Sequence, residues 1–329
     1  MVNWNLEDIY PESEKENLMN LLSNKVNEFI SKKEVLNENL TATDLIYLFV
    51  LKDEILSISS SLQIKLYLKF CEDVTNQNTL KEMQKLEMYL ADLENKLLFF
   101  QDFLKNMAEI KSKSLENNLG KYNYLFKSIR KNIPFMKSME EEKIMNLKDI
   151  SGHSILLNLR NLITGKFEFD FNGEKINEAK LISYTMSEKE EERKLAYELL
   201  LSKYIENQDE LGEIYKGISL DWLYETTKIR NYSSPLSARN FSNTINDDVI
   251  DLILNITQNK CNLFQKYFKL KSNYFKIKNS RYNIYAPFIL KQKKDYSFEY
   301  SKELVLEVYK NFSDNFFNLA NNIFEHQHV

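Results

Sequence analysis

TLKEMQKLEMYLADLENKLLFF, residues 79–100, carries Leu80, Met83, Leu86, Leu90, Leu93, Leu97 and Phe100 in steps of three and four. Those steps keep all seven side chains on one stripe of a helix with 3.6 residues per turn. Neither glycine nor proline interrupts the stretch, so the pattern predicts one helix over about 79–111. Upstream, Thr41-Ala-Thr-Asp44 places a capping hydroxyl and a first-turn carboxylate ahead of a second helix, about 43–70. A third is predicted at about 13–31. The polar link Thr75–Thr79 is short, so the helices beside it should pack antiparallel.

Residues 112–182 read differently. Short helices alternate with turns near Gly120, Pro134, Gly152 and Gly165. Ser138-Met-Glu-Glu141 has the form of a capping box, and Ser151 is placed to cap a helix over about 152–164. In KFEFDFNGEKI, Phe167, Phe169 and Phe171 alternate with charged residues. Asn172-Gly173 then gives the signal for a two-residue hairpin turn, with Ile176 on the return strand. Beyond Ser183 the helical pattern resumes. Ser187-Glu-Lys-Glu190 forms a second capping-box pattern, for a helix to about Ile205, followed by one over about 208–230. Asn246-Asp-Asp opens a helix through Ile277, about 45 Å long, with Leu263, Tyr267, Leu270 and Tyr274 as its buried seam. A last helix is predicted at about 301–325. The whole reads as an all-α, elongated helical array with one small β-hairpin. Six glycines and four prolines in 329 residues fit long helices and few turns.

Composition excludes some functions. The net charge is -4, with 44 basic and 48 acidic residues mixed along the chain, so no basic patch offers itself to nucleic acid or an anionic membrane. MVNWNLEDIY has neither a basic nor an apolar signal-peptide segment, and the apolar run Leu45–Leu51 is far too short to span a bilayer. A soluble, cytoplasmic protein is expected. Cys71 and Cys261 sit in helical patterns and read as reduced, semi-buried fillers.

Several patterns occur in one order. Trp4-Asn-Leu-Glu-Asp-Ile-Tyr-Pro11 opens the chain. Tyr124-Leu-Phe-Lys-Ser-Ile-Arg130, Met139-Glu-Glu-Glu142 and Ile150-Ser-Gly152 precede the hairpin. Ser187-Glu-Lys-Glu-Glu-Glu-Arg-Lys-Leu-Ala-Tyr197 and Ile229-Arg-Asn-Tyr-Ser-Ser234 follow it. Tyr282-Asn-Ile-Tyr-Ala-Pro-Phe288 comes last, ahead of Tyr296-Ser-Phe-Glu-Tyr-Ser-Lys-Glu-Leu-Val305. This ordered set resembles the oligoendopeptidase F family of thimet-like zinc metallopeptidases over essentially the whole chain. Asn5 and Asn283 stand where that family usually has Asp.

The resemblance implies three parts: an N-terminal helical lobe (1–111), an oligoendopeptidase F N-terminal-type domain with the hairpin (112–182), and the start of the helical peptidase domain (183–329), truncated before the zinc site. It implies an oligopeptide-cleaving zinc metalloendopeptidase whose cleft admits short peptides. In that family the zinc lies on a His-Glu-x-x-His helix, with the Glu deprotonating bound water. Here His153 has Leu157 four residues on, and His326 and His328 have no such partner. His326 and His328, two apart, point to different sides of a helix and read as a surface tail. No metal or catalytic residue is therefore assigned. This chain alone is expected to be inactive and to hold no zinc. Its partners would be a separate C-terminal catalytic half or a second copy. The alternatives are a non-catalytic peptide-binding or interaction module and one half of a split metallopeptidase. Tyr282, Tyr285 and Pro287 are read as packing positions rather than a peptide-contacting edge, and Glu188–Glu192 as a helix N-terminus.

Overall fold

A computed structural model describes residues 4–288 and 296–326. Helices α1 (Lys15–Ser31), α2 (Ala42–Glu72) and α3 (Gln77–Asn106) build the first core. Thr41 caps α2 as its sequence signalled. Its hydroxyl accepts from the Asp44 N–H at 3.2 Å, and the Asp44 carboxylate accepts from the Thr41 N–H at 3.0 Å. Asn76 caps α3 in turn. Leu86, Leu93, Leu97 and Phe100 of the predicted stripe are buried with Leu22, Phe29, Leu45 and Phe49. Phe100 lies edge-on to Phe29 (5.3 Å between centroids) and to Phe49 (5.9 Å). The opening motif docks through Lys65 of α2. Its ammonium donates to Glu7 Oε1 at 2.8 Å and to the Tyr10 carbonyl at 2.6 Å.

Helix α3 ends at Asn106, earlier than the periodicity predicts. Met107 is extended and buried, and α4 (Glu109–Glu116) starts anew. The reason lies in α5 (Asn123–Asn132). Arg130 Nη1 donates to the carbonyls of Leu104 and Met107, each at 2.9 Å, and so satisfies a helix end without glycine. Helix α6 (Met139–Asp149) has the Ser138–Glu141 capping box and is tied to α3 by Asn146 donating to Asn95 Oδ1 at 2.9 Å. Ser151 caps nothing. The chain continues through a π-helical turn, Ile150–Ser154, into α7 (Ile155–Thr164), and the Ser151 hydroxyl donates back to the Lys148 carbonyl.

The hairpin forms as predicted from β1 (Glu168–Phe171) and β2 (Glu174–Asn177), with Phe169 opposite Ile176. Asn172 and Gly173 both have positive φ, 56° and 86°, as a type I′ turn requires. The three phenylalanines form a second core with Ile176, with Leu181 of α8 (Glu178–Tyr184) and with Ala196 of α9 (Glu190–Glu206). Phe171 stacks on Tyr184 at 4.2 Å and Phe167 meets Tyr204 edge-on at 5.4 Å.

Helix α10 (Gln208–Leu223) passes into a π-helical segment, Tyr224–Ile229. An unpredicted α11 (Pro235–Ser242) follows, capped by Ser234 with proline in its first turn. Helix α12 (Asp247–Phe275) ends at Lys276, in the left-handed conformation. The predicted helix 301–325 is two helices, α13 (Phe298–Phe312) and α14 (Asp314–Glu325), broken at an extended Ser313. The break lets Phe298 meet Phe324 (6.2 Å) and Phe312 meet Phe316 (5.2 Å) as α14 folds back on α13.

The chain divides into two compact units, Met1–Ser151 with Gln292–Val329, and Gly152–Lys291. Cys71 and Cys261 are free but exposed, not semi-buried; Cys261 lies on α12, which buries little of its surface. Among the described residues no helix is long and apolar enough to cross a membrane.

Replacing Phe169 by Asp removes a ring from the second core and leaves a buried carboxylate there. A ring of that size contributes about 4 kcal/mol at ~25 cal/mol per Å². Thermal unfolding followed by circular dichroism should show a large loss of stability in Phe169→Asp. An unchanged melting temperature would mean that the rings do not hold the hairpin.

Candidate functional site

Two features of the unit Gly152–Lys291 stand apart from ordinary packing. The first is a buried polar junction. Arg193 of α9 is 2% exposed, and its fork reaches three acceptors. Nη2 donates to Asn283 Oδ1 at 2.7 Å, and Nη1 donates to the carbonyls of Ser187 (2.8 Å) and Glu188 (2.9 Å). Asn283 completes the set. Its amide donates to Glu190 Oε1 at 2.9 Å and to the Lys278 carbonyl at 3.0 Å. Lys271 of α12 is also buried, and its ammonium donates to the Ile284 carbonyl at 2.7 Å. Burial, and then the Arg193 charge, hold the Lys271 ammonium below its ordinary pKa.

This junction corrects the second capping-box reading. Helix α9 begins at Glu190 with Lys189 at the cap and no side-chain cap bond. Glu190 is turned to Asn283, and the Ser187 hydroxyl donates instead to Glu192 Oε2 at 2.6 Å. The local box thus loses the Glu190 carboxylate to Asn283, about ninety residues away.

The second feature is α12 itself. Of its 29 residues only Lys271 is buried. The predicted seam is open: Leu270 is 70% and Tyr274 69% exposed, and Leu263 and Tyr267 are exposed too. The seam is a genuine apolar face, but no described residue covers it. Leu252, Ile253 and Ile256 lengthen it toward the N-terminus. Among the described residues the side-chain contacts fasten the helix ends. Asp247 accepts from the Ser237 hydroxyl at 2.6 Å and from the Asn240 amide at 2.8 Å, which hold its carboxyl below the usual range. Phe275 packs on Phe288 at 4.9 Å. In the other unit, α13 and α14 also leave Phe312, Phe316 and Leu319 exposed.

The remaining sequence candidates lie apart. His153 sits in the π-helical turn Ile150–Ser154. His326 ends α14, with Nδ1 2.8 Å from the Asn322 carbonyl, and His328 lies outside the described residues. Tyr282 tilts against Tyr197 at 6.3 Å, whereas Tyr285 is exposed beneath Arg281. Among the described residues no group of three or more His, Cys, Asp or Glu is placed to hold a metal ion. A zinc site needs three or four such donors converging, so the described residues do not fit zinc. The sequence pointed to Arg193 only as part of a motif. Its partnership with Asn283 was hidden by their separation.

The chain has the fold of part of solved oligoendopeptidase F structures. The chain superposes on oligoendopeptidase-F from Enterococcus faecium with a TM-score of 0.72 at 16% identity, over 95% of this chain and 61% of that one. A candidate oligoendopeptidase F from Bacillus anthracis str. Ames gives 0.69 at 16% identity, over 94% and 55%. A candidate peptidase from Chlamydophila abortus gives 0.60 at 17%, over 96% and 55%. The chain thus spans less than two thirds of the length of each. No family profile and no curated protein matches the sequence.

Asn283 uses both ends of its amide, so aspartate is not a simple restoration here. Asn283→Asp would strengthen the Arg193 contact but set a carboxylate against Glu190 and the Lys278 carbonyl. The expected cost is about 1–3 kcal/mol. Adding Glu190→Gln supplies the lost donor and should recover most of it, a coupling that a double-mutant cycle on melting temperature measures. A rise in stability in Asn283→Asp alone would refute the role given to Glu190.

Proposed function

We propose that this chain forms the non-catalytic, N-terminal part of an oligopeptide-cleaving zinc metalloendopeptidase of the oligoendopeptidase F kind. On this reading the zinc, its His-Glu-x-x-His helix and the water it activates belong to a further catalytic portion. That portion covers the open face of α12. The chain's own role is to wall the cleft that admits short peptides. The observation that carries the reading is α12, a long helix fastened at both ends and apolar along an uncovered face. Exposed apolar surface of this extent marks a surface that another polypeptide covers. The fold likeness supports the same reading, since the matched structures are considerably longer than this chain.

The purified chain, given zinc and a quenched fluorogenic peptide, should show no turnover that a chelator abolishes, because its described residues bring no water-activating ligand set. Chelator-sensitive cleavage by the chain alone would overturn the proposal. The open face has its own signature. Leu270→Glu should alter the stability of the isolated chain by no more than about 0.5 kcal/mol, while lowering self-association in sedimentation velocity. A strongly destabilised Leu270→Glu would show that this face is already covered.

A further inference from the structure

Acidic and basic residues are mixed along most of the chain, but not around α12. Residues 252–288 carry seven basic side chains and no acidic one, which leaves a net charge of -11 on the rest against -4 overall. Helices of the same unit pair their lysines with nearby glutamates: Lys189 with Glu192, Lys194 with Glu198 and Lys203 with Glu206 along α9, and Lys216 with Glu213 on α10. On α12, Lys260 and Lys266 are exposed, and among the described residues neither meets a carboxylate. The nearest acidic residue in the chain is Asp251, nine positions before Lys260, or about 13 Å along the axis at 1.5 Å per residue. The two lysines stand three residues before and three after Leu263. At about 100° per residue they lie about 60° to either side of it. They therefore edge, on both flanks, the exposed stripe of Ile256, Leu263, Tyr267, Leu270 and Tyr274.

We propose that the polypeptide seated on α12 is an amphipathic helix whose apolar stripe is edged by Asp or Glu that meet Lys260 and Lys266. This rests on the reading that a further portion covers the face, and it adds the chemistry of that portion. An apolar stripe with charges along both edges is the arrangement of a helix–helix seam: the stripe supplies the burial and the edge charges choose the partner. A partner with neutral or basic edges leaves both ammonium groups desolvated and uncompensated, and is selected against. Other occupants fit less well. An anionic bilayer would repel the net -11 of the rest of the chain, and Asp247, Asp248 and Asp251 near the start of the same helix. A second copy paired about Leu263 sets lysine against lysine in either direction.

The test titrates the full chain into labelled helical peptides that share one leucine stripe and carry glutamate, glutamine or lysine along its edges, followed by fluorescence anisotropy. The glutamate peptide should bind about tenfold more tightly than the glutamine peptide, with the gap closing as salt rises, and the lysine peptide should bind least. Lys260→Glu combined with Lys266→Glu should reverse the order of the glutamate and lysine peptides while leaving the circular-dichroism spectrum unchanged. Leu270→Asn should weaken all the peptides alike. Equal binding of the glutamate and glutamine peptides would overturn the proposal and leave the covered-face reading standing, whereas failure of every peptide to bind would overturn both. Uptake of the chain by phosphatidylglycerol vesicles in preference to the glutamate peptide, or a dimer of the chain that excludes that peptide, would overturn it in favour of a bilayer or a second copy.

Discussion

Phe100 stands edge-on to both Phe29 and Phe49, and this three-ring contact decides how the first three helices meet. Each such pair adds about 0.5–1.5 kcal/mol to the area it buries. Its larger effect is geometric, because it sets the rotation of α3 against α1 and α2 together. Phe49 then stacks on Tyr122 at 5.5 Å, and the Tyr122 hydroxyl donates to Asp53 at 3.0 Å. That brings the segment ahead of α5 onto α2. Once α5 is seated, Arg130 is within reach of the last carbonyls of α3, and the place where the longest apolar stripe stops follows from it.

The end of α3 illustrates how a chain with six glycines and four prolines closes its helices and turns. Long basic side chains take the free carbonyls, in Arg193 from within the same turn and in the others from other segments. Lys65 takes that of Tyr10, Arg130 those of Leu104 and Met107, Arg193 those of Ser187 and Glu188, and Lys271 that of Ile284. A charged donor makes a stronger bond than a neutral one, and its stem packs along apolar neighbours. The device also carries information. A glycine cap works in any tertiary setting, whereas the Arg130 guanidinium works only when two distant segments have met. Local structure and tertiary structure therefore form together.

That coupling explains which parts were legible in the sequence. Thr41 with Asp44, Ser138 with Glu141, and Asn172-Gly173 between alternating phenylalanines succeed because each partner lies within a few residues. The stripe Leu80–Phe100 succeeds for the same reason. Three of the failures have the opposite cause. Ser187-Glu-Lys-Glu190 has the letters of a capping box, but Asn283 claims Glu190 from about ninety residues away. The predicted continuation of α3 to 111 fails at Arg130, and the single helix over 301–325 fails at Ser313, where folding back brings Phe298 to Phe324. For the candidate site, the sequence marked the Arg-Lys-Leu-Ala-Tyr run and the departure at Asn283 separately. Only the structure joins them into one junction.

Helix α12 shows the same logic from the other side. Its periodicity identified a real apolar face in Leu263, Tyr267, Leu270 and Tyr274, but a period says nothing about what covers a face. Most helical stability in proteins comes from tertiary packing of one face. Here the support comes at the ends, from Ser237 and Asn240 on Asp247, and from Ile284 and Phe288 on the last turns. The middle turns need no partner to be helical, so the face is built before anything arrives. A preformed face avoids the entropic cost of ordering a segment during association. The buried junction is what makes this possible: Lys271 reaches the Ile284 carbonyl in the segment that Asn283 anchors to α9. The uncovered helix therefore depends on the polar core beneath its last turns, and weakening that core would loosen the face before it altered any residue on it.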